Sequence, residues 1–312
     1  MSRALVEVGR HLSRLDYRFT TVTPNSQTIV NARSADREAS SLRDVFGWNR
    51  SFFADLLPRS LFESLQAAEV LERAGGHGSW RSTVRFSTIG ELLFAHSAFP
   101  TNSRDAVFFG PDSVRFVNAL LRAAPRAERI ADIGCGTGVG GIMLARREPA
   151  PRRLILADIN QRALQLARVN AELAGVEAEF VESDVLNQVE GDIDLVVANP
   201  PYLRDDEHRW YRDGAGEYGE ALGARMVREA LQRLRQNPRG GTLVLYTGAA
   251  IVAGGDDTFL ASIIDDLQRT DARYSYEELD PDVFSEELTR PAYRNVERIA
   301  AVFLQARVEP RP

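Results

Sequence analysis

The chain has 312 residues, 44% hydrophobic and 26% charged, with a formal net charge of −6. This is the composition of a globular protein with room for one large and one smaller domain, and the acidic balance argues against a dedicated nucleic-acid binder, which needs a basic excess. No apolar run approaches the roughly 18 residues of a membrane span, and Met1–Arg14 lacks a signal-peptide core, so a cytoplasmic location without membrane contact is expected.

Residues 1–104 read as an N-terminal α+β domain, for substrate recognition or as a lid. Leu5, Val8, Leu12 and Leu15 recur at helical spacing in Ser2–Leu15. Thr20–Ala32, rich in Thr, Asn and Ser, reads as a loop or edge strand. Ser40–Phe46 and Ser60–Ala74 read as helices, and Trp80–Phe99 alternates like strands. Helices followed by a hairpin resemble a small winged-helix-like module. Phe99–Arg104 reads as a linker. Pro111 then suits a helix start, with Val114, Val117 and Leu121 as its apolar stripe.

Residues 105–312 alternate strand and helix. Expected strands are the run into Ile133, then Arg153–Asp158, Ala178–Glu182, Asp194–Ala198, Thr242–Thr247, Tyr274–Leu279 and Ile299–Leu304. Expected helices are Gln161–Leu173, Ala221–Arg235 and Asp256–Gln268. The pattern predicts an α/β, doubly wound, mostly parallel seven-stranded sheet with a terminal antiparallel hairpin. In such sheets a ligand sits at the strand carboxyl ends, where Asp132, Asp158, Asp184 and Asn199 fall.

The stretch Ile130–Ile142 (I-A-D-I-G-C-G-T-G-V-G-G-I) is a strand, a glycine loop and a helix start. Gly136-x-Gly138-x-x-Gly141, with Asp158 about 20 residues on, satisfies the dinucleotide fingerprint. Gly134-x-Gly136-x-Gly138 after Asp132 equally satisfies the first motif of S-adenosylmethionine (SAM) methyltransferases. The only cysteine, Cys135, lies inside this loop. It excludes an internal disulfide, and a cysteine-based metal site would need partners that are absent.

Asn199-Pro200-Pro201-Tyr202 ends the fourth strand. Two prolines stop a strand and leave a rigid turn. An amide or ring-attached amino nitrogen has a delocalised lone pair, and must be held and aimed before a sulfonium methyl can transfer to it. The Asn199 side-chain oxygen and the Pro200 carbonyl can each accept one N–H of that nitrogen. Tyr202 can stack on its planar group.

Together A-D-I-G-C-G-T-G, L-A-D-I-N, E-S-D-V-L and N-P-P-Y resemble the HemK-type protein-glutamine N-methyltransferases, well over residues 105–250 and loosely to 308. The resemblance implies SAM rather than NAD as cofactor, and methyl transfer to a planar NH2, most strongly a protein glutamine amide. A small metabolite or an exocyclic base amine in RNA is the alternative acceptor, and a non-catalytic SAM-binding protein is a weaker one. By position it implies that Asp132, Gly134, Cys135, Gly136 and Gly138 line the cofactor, with Phe109 closing over its methionine end. Asp158 with Ile159 would hold the ribose, and Asp184 with Val185 the adenine. Asn199, Pro200 and Tyr202 would be the catalytic residues, with Asn199 also touching the cofactor. No metal is implied. The insert Arg204–Gly219 departs from the family; its Trp210, Tyr211 and Tyr218 suit either a substrate wall or packing under a long loop.

Overall fold

A computed structural model describes residues 1–309 apart from 34–37, 76–77 and 148. The N-terminal region holds α1 (Ser2–Arg14), α2 (Pro24–Ala32), α3 (Leu42–Phe46) and α4 (Arg59–Ala67). Two antiparallel pairs follow: β1 (Leu71–Arg73) with β2 (Trp80–Ser82), and β3 (Val84–Ile89) with β4 (Leu92–Ser97). Two expectations are corrected here. Residues 24–32 form a helix rather than a loop or strand, because Thr23 accepts from the Ser26 amide at 3.2 Å and Pro24 follows it at the first helical position. The helix expected over Ser60–Ala74 stops at Ala67; Glu69 turns with φ +58° and Leu71–Arg73 leaves as a strand.

The remainder comprises α5 (Pro111–Ala123), β5 (Arg129–Ile133), α6 (Val139–Ala145), β6 (Arg153–Asp158), α7 (Gln161–Ala174), β7 (Glu179–Glu182) and β8 (Leu195–Ala198). It continues with α8 (Ala221–Gln236), β9 (Gly241–Val252), β10 (Asp256–Asp257), α9 (Thr258–Arg269), β11 (Arg273–Asp280) and β12 (Val296–Val308). The sheet runs β11-β12-β9-β8-β5-β6-β7, with the short β10 paired to β9. Strands β5 to β9 are parallel, and β12 is antiparallel to both neighbours, as the terminal hairpin implied. Strand order reverses between β5 and β8, which opens a crevice at their carboxyl ends.

Alternate side chains feed two cores. Ile130, Leu156, Val197, Val244 and Tyr246 pack on the face that carries α5, α6 and α7. Ala131, Ile155, Val196, Leu243 and Leu245 pack on the face of α8 and α9. A third cluster joins the N-terminal region to the sheet domain: Leu5, Val8 and Leu12 of α1 and Phe86 of β3 share it with Leu166 and Val169 of α7. Helix α7 therefore carries both units.

Buried Asn170 on α7 pins this junction. Its Oδ1 accepts the Ala95 amide at 2.6 Å, while its Nδ2 donates to the Ala95 carbonyl at 3.0 Å and to the Thr137 carbonyl of the glycine loop at 2.9 Å. Asn170→Leu strands those three buried backbone groups. It is expected to cost about 2–4 kcal/mol and to lower the thermal midpoint by roughly 5–10 °C. A midpoint within 1 °C of wild type, by calorimetry, would remove this role.

Candidate active site

A cavity of about 180 Å³ lies over the carboxyl ends of β5, β6 and β8. Asp132, Gly134, Cys135, Gly136, Asp158, Ile159, Asp184, Val185, Asn199, Pro200 and Tyr202 all line it.

The glycine loop is built by alternation. Gly134 and Gly136 sit at φ +63° and +54°, where a Cβ would be strained, so the loop can fold tightly over the end of β5. Three of its amides are consumed internally: Gly136 donates to Asp158 Oδ2 at 2.8 Å, Gly138 to the Cys135 carbonyl at 2.7 Å, and Gly141 to Asp132 Oδ2 at 2.7 Å. They do not point outward as a phosphate cradle would. Gly138 is a correction. It is the N-cap of α6, its Cα faces Ile142, Leu156 and Ala167, and it does not line the cavity.

Burial pushes the Asp132 carboxyl up to about 7. Burial also raises Asp158, whose oxygens already accept the amides of Gly136 and Asn160. Burial drives the Cys135 thiol well above its usual range, so it stays protonated and is no nucleophile. Ile159 is 51% exposed beside Asp158, an apolar shelf facing the cavity. Val185 holds φ +54° although β-branched, and the Ser183 hydroxyl donates to its carbonyl at 3.0 Å. Such strain persists where the surroundings over-determine it, commonly at ligand sites. Asp184 is engaged differently from expectation: both oxygens accept from Arg225, at 2.8 and 2.7 Å.

Phe109 is a second correction. It is 5% exposed, stacks on Phe94 and His96 at 5.7 and 5.1 Å, and faces the N-terminal hairpin rather than the cavity. Its neighbour Phe108 lines the cavity instead, because side chains alternate along extended chain.

At the other end lies the NPPY turn. Tyr202 packs over Gly248 and edge-on to Phe284, with its hydroxyl donating to Asp112 Oδ1 at 2.9 Å. At 8% exposure it presents little ring face to a substrate, so a stacking role is displaced by an anchoring one. Tyr246 donates to the same Asp112 oxygen at 2.5 Å. Burial raises Asp112, and the two tyrosine hydroxyls oppose it. Asp112 was not foreseen: an Asp after a proline at a helix start reads as an ordinary first-turn acid.

The Arg204–Gly219 insert closes this end. Trp210 and Tyr211 line the cavity; Tyr211 stacks on Phe108 at 5.8 Å and 5°, and its hydroxyl meets Thr101 Oγ1 at 2.8 Å. Tyr218 instead packs against the core cluster outside the cavity wall. His208 is largely exposed, its Nδ1 2.6 Å from Asp213 Oδ2, and does not line the cavity.

Among the described residues, Asp112, Asp132, Asp158 and Asp184 line the cavity, Asp184 already paired with Arg225, together with Arg212, which is paired with Asp205 and Glu287. SAM, cationic at its sulfonium and ammonium, fits this donor set.

Residues 113–247 match the family model "Methyltransferase small domain". A release factor glutamine methyltransferase from Deinococcus radiodurans is 33% identical over 156 residues, covering 46% of this chain and 55% of that protein. One from Lactococcus lactis is 42% identical over 99 residues, covering 31% and 36%. Ribosomal RNA large subunit methyltransferase G from Pseudoalteromonas translucida is 28% identical over 211 residues, covering 64% and 52%. The chain therefore spans about half or less of the length of these relatives. Two solved structures share the fold. A putative SAM-dependent methyltransferase from Streptococcus mutans has a TM-score of 0.50 at 13% identity, covering 80% of this chain and 65% of that one. M. jannaschii TYW2 in complex with AdoMet has a TM-score of 0.50 at 12% identity, covering 77% and 90%.

Proposed function

We infer that this chain, which carries a class I SAM-dependent methyltransferase domain, methylates a planar NH2 nitrogen, the side-chain amide of a protein glutamine. The observation that carries the reading is the Asn199–Pro200 turn at the end of β8, where both residues line the cavity beside the cofactor-loop residues Gly134 and Gly136. SAM supplies an electrophilic methyl. The Asn199 oxygen and the Pro200 carbonyl take the two acceptor N–H groups, turn the nitrogen lone pair toward that methyl and offset the positive charge that grows on it. No strong general base is needed, in keeping with the absence of any His among the residues described as lining the cavity. Relatives named as release factor glutamine methyltransferases support the glutamine acceptor. We assign acceptor selection to the N-terminal region, whose outgoing segment, through Thr101 and Phe108, walls the acceptor end.

A second reading, an exocyclic amine of an RNA base, is favoured by the Phe108–Tyr211 stack and the 38% exposed Trp210, which offer flat faces to a base. The net charge of −6 weighs against it. The test is incubation with methyl-labelled SAM and cell extract, then fractionation. Label in protein, recovered as N-methylglutamine after digestion, is the expected result. Label in RNA transfers the assignment to the second reading, and label confined to small molecules overturns both.

A further inference from the structure

We propose that the cleft between the N-terminal region and the start of α5 is a binding site for one oxyanion group, a carboxylate or a phosphate, held by Arg85. Arg85 on β3 is 4% exposed. Its Nε donates to the Gly47 carbonyl at 2.7 Å and its Nη1 to Gln27 Oε1 at 2.8 Å, both neutral acceptors. Its Nη2 is buried without a partner, and among the described residues no carboxylate pairs with the guanidinium.

The charge is real. Burial lowers Arg85 only to about 10, so it is a cation at neutral pH. The titratable groups around it do not compensate it. Tyr17 is raised by burial and stays neutral, His96 is pushed down to about 3 and stays neutral, and Arg43 adds a like charge over the shared Phe19 ring. A buried, unpaired cation is costly, and structures keep one where a ligand completes it. Clamping Gly47 to Gln27 accounts for Nε and Nη1, which a neutral donor could serve as well. It leaves Nη2 and the charge unexplained.

The cleft itself has the right lining. Arg85 shares it with Thr21, Ser97 and Thr101 and with Gly110–Pro111, which open the 13-residue helix α5. Thr21 donates to the Phe109 carbonyl, the Gly110 amide is spent on Ser113 Oγ and Pro111 has no N–H, so the guanidinium fork is the group left to take a carboxylate or phosphate. Phe108 lines this cleft and the active site both, so the two sites stand back to back. Nothing in the methyl-transfer assignment requires the second one.

The test is calorimetric titration of the full chain with inorganic phosphate and, separately, acetate, at matched ionic strength, against two variants. Arg85→Met removes the cation. Val22→Asp, at a half-buried position lining the cleft, supplies an internal counter-ion on a loop and keeps the protein testable if Arg85→Met fails to fold. Wild type is expected to bind one anion saturably, tighter phosphate marking a phosphoryl source and tighter acetate a carboxylate source. Val22→Asp should weaken it at least tenfold with SAM affinity unchanged within twofold. No saturable binding of either anion, or equal binding by wild type and Val22→Asp, overturns the proposal.

Discussion

Asn199→Ala is expected to slow methyl transfer by about a thousandfold while SAM affinity stays within a few-fold. Removing one preorganised acceptor at a site of developing charge typically costs 10²–10³ in rate. Here the same side chain also aims the nitrogen, so lost alignment adds to lost stabilisation. The variant should fold, because Tyr202 and Tyr246 still satisfy Asp112, at 2.9 and 2.5 Å. The measurement is the initial rate of label incorporation into cell extract, with calorimetric SAM binding on the same sample. Activity within a few-fold of wild type would dismiss the nitrogen clamp. Joint loss of SAM binding would instead make Asn199 part of the cofactor wall.

Asp158→Ala is expected to weaken SAM binding by about 100-fold, or roughly 2.7 kcal/mol. Two contributions act together. The carboxylate is the expected acceptor for the ribose hydroxyls, and hydrogen bonds to a charged group are worth about 1.5–3 kcal/mol. It also fastens the loop by accepting the amides of Gly136 and Asn160, each at 2.8 Å. Relief of its burial penalty in the empty protein works the other way, since Asp158 is raised by desolvation. The binding loss should therefore exceed any loss in apo thermal stability. Titration with SAM decides it, and an unchanged dissociation constant would displace the ribose assignment.

The sequence by itself determined the strand–helix alternation, the parallel sheet with its antiparallel β12, and the cavity rim. Each follows from local pattern: continuous apolar runs, glycines at alternate positions and a double proline after a strand. Positions at strand carboxyl ends inherit their placement from the fold, which is why the sequence pattern puts Asp132, Asp158 and Asn199 together and why all three line one cavity. Only the tertiary structure decided what depends on partners distant in the chain. Phe109 and Phe108 are adjacent residues of equal hydrophobicity, and which one faces the cavity is set by the His96–Phe94 wall. Tyr202 became an anchor because Asp112, 90 residues earlier, reaches its hydroxyl. Asn170 and Arg85 look like ordinary polar positions in a helix and a strand. Their weight comes from burial against backbone groups and a cleft that exist only once α7 and the hairpin have packed together.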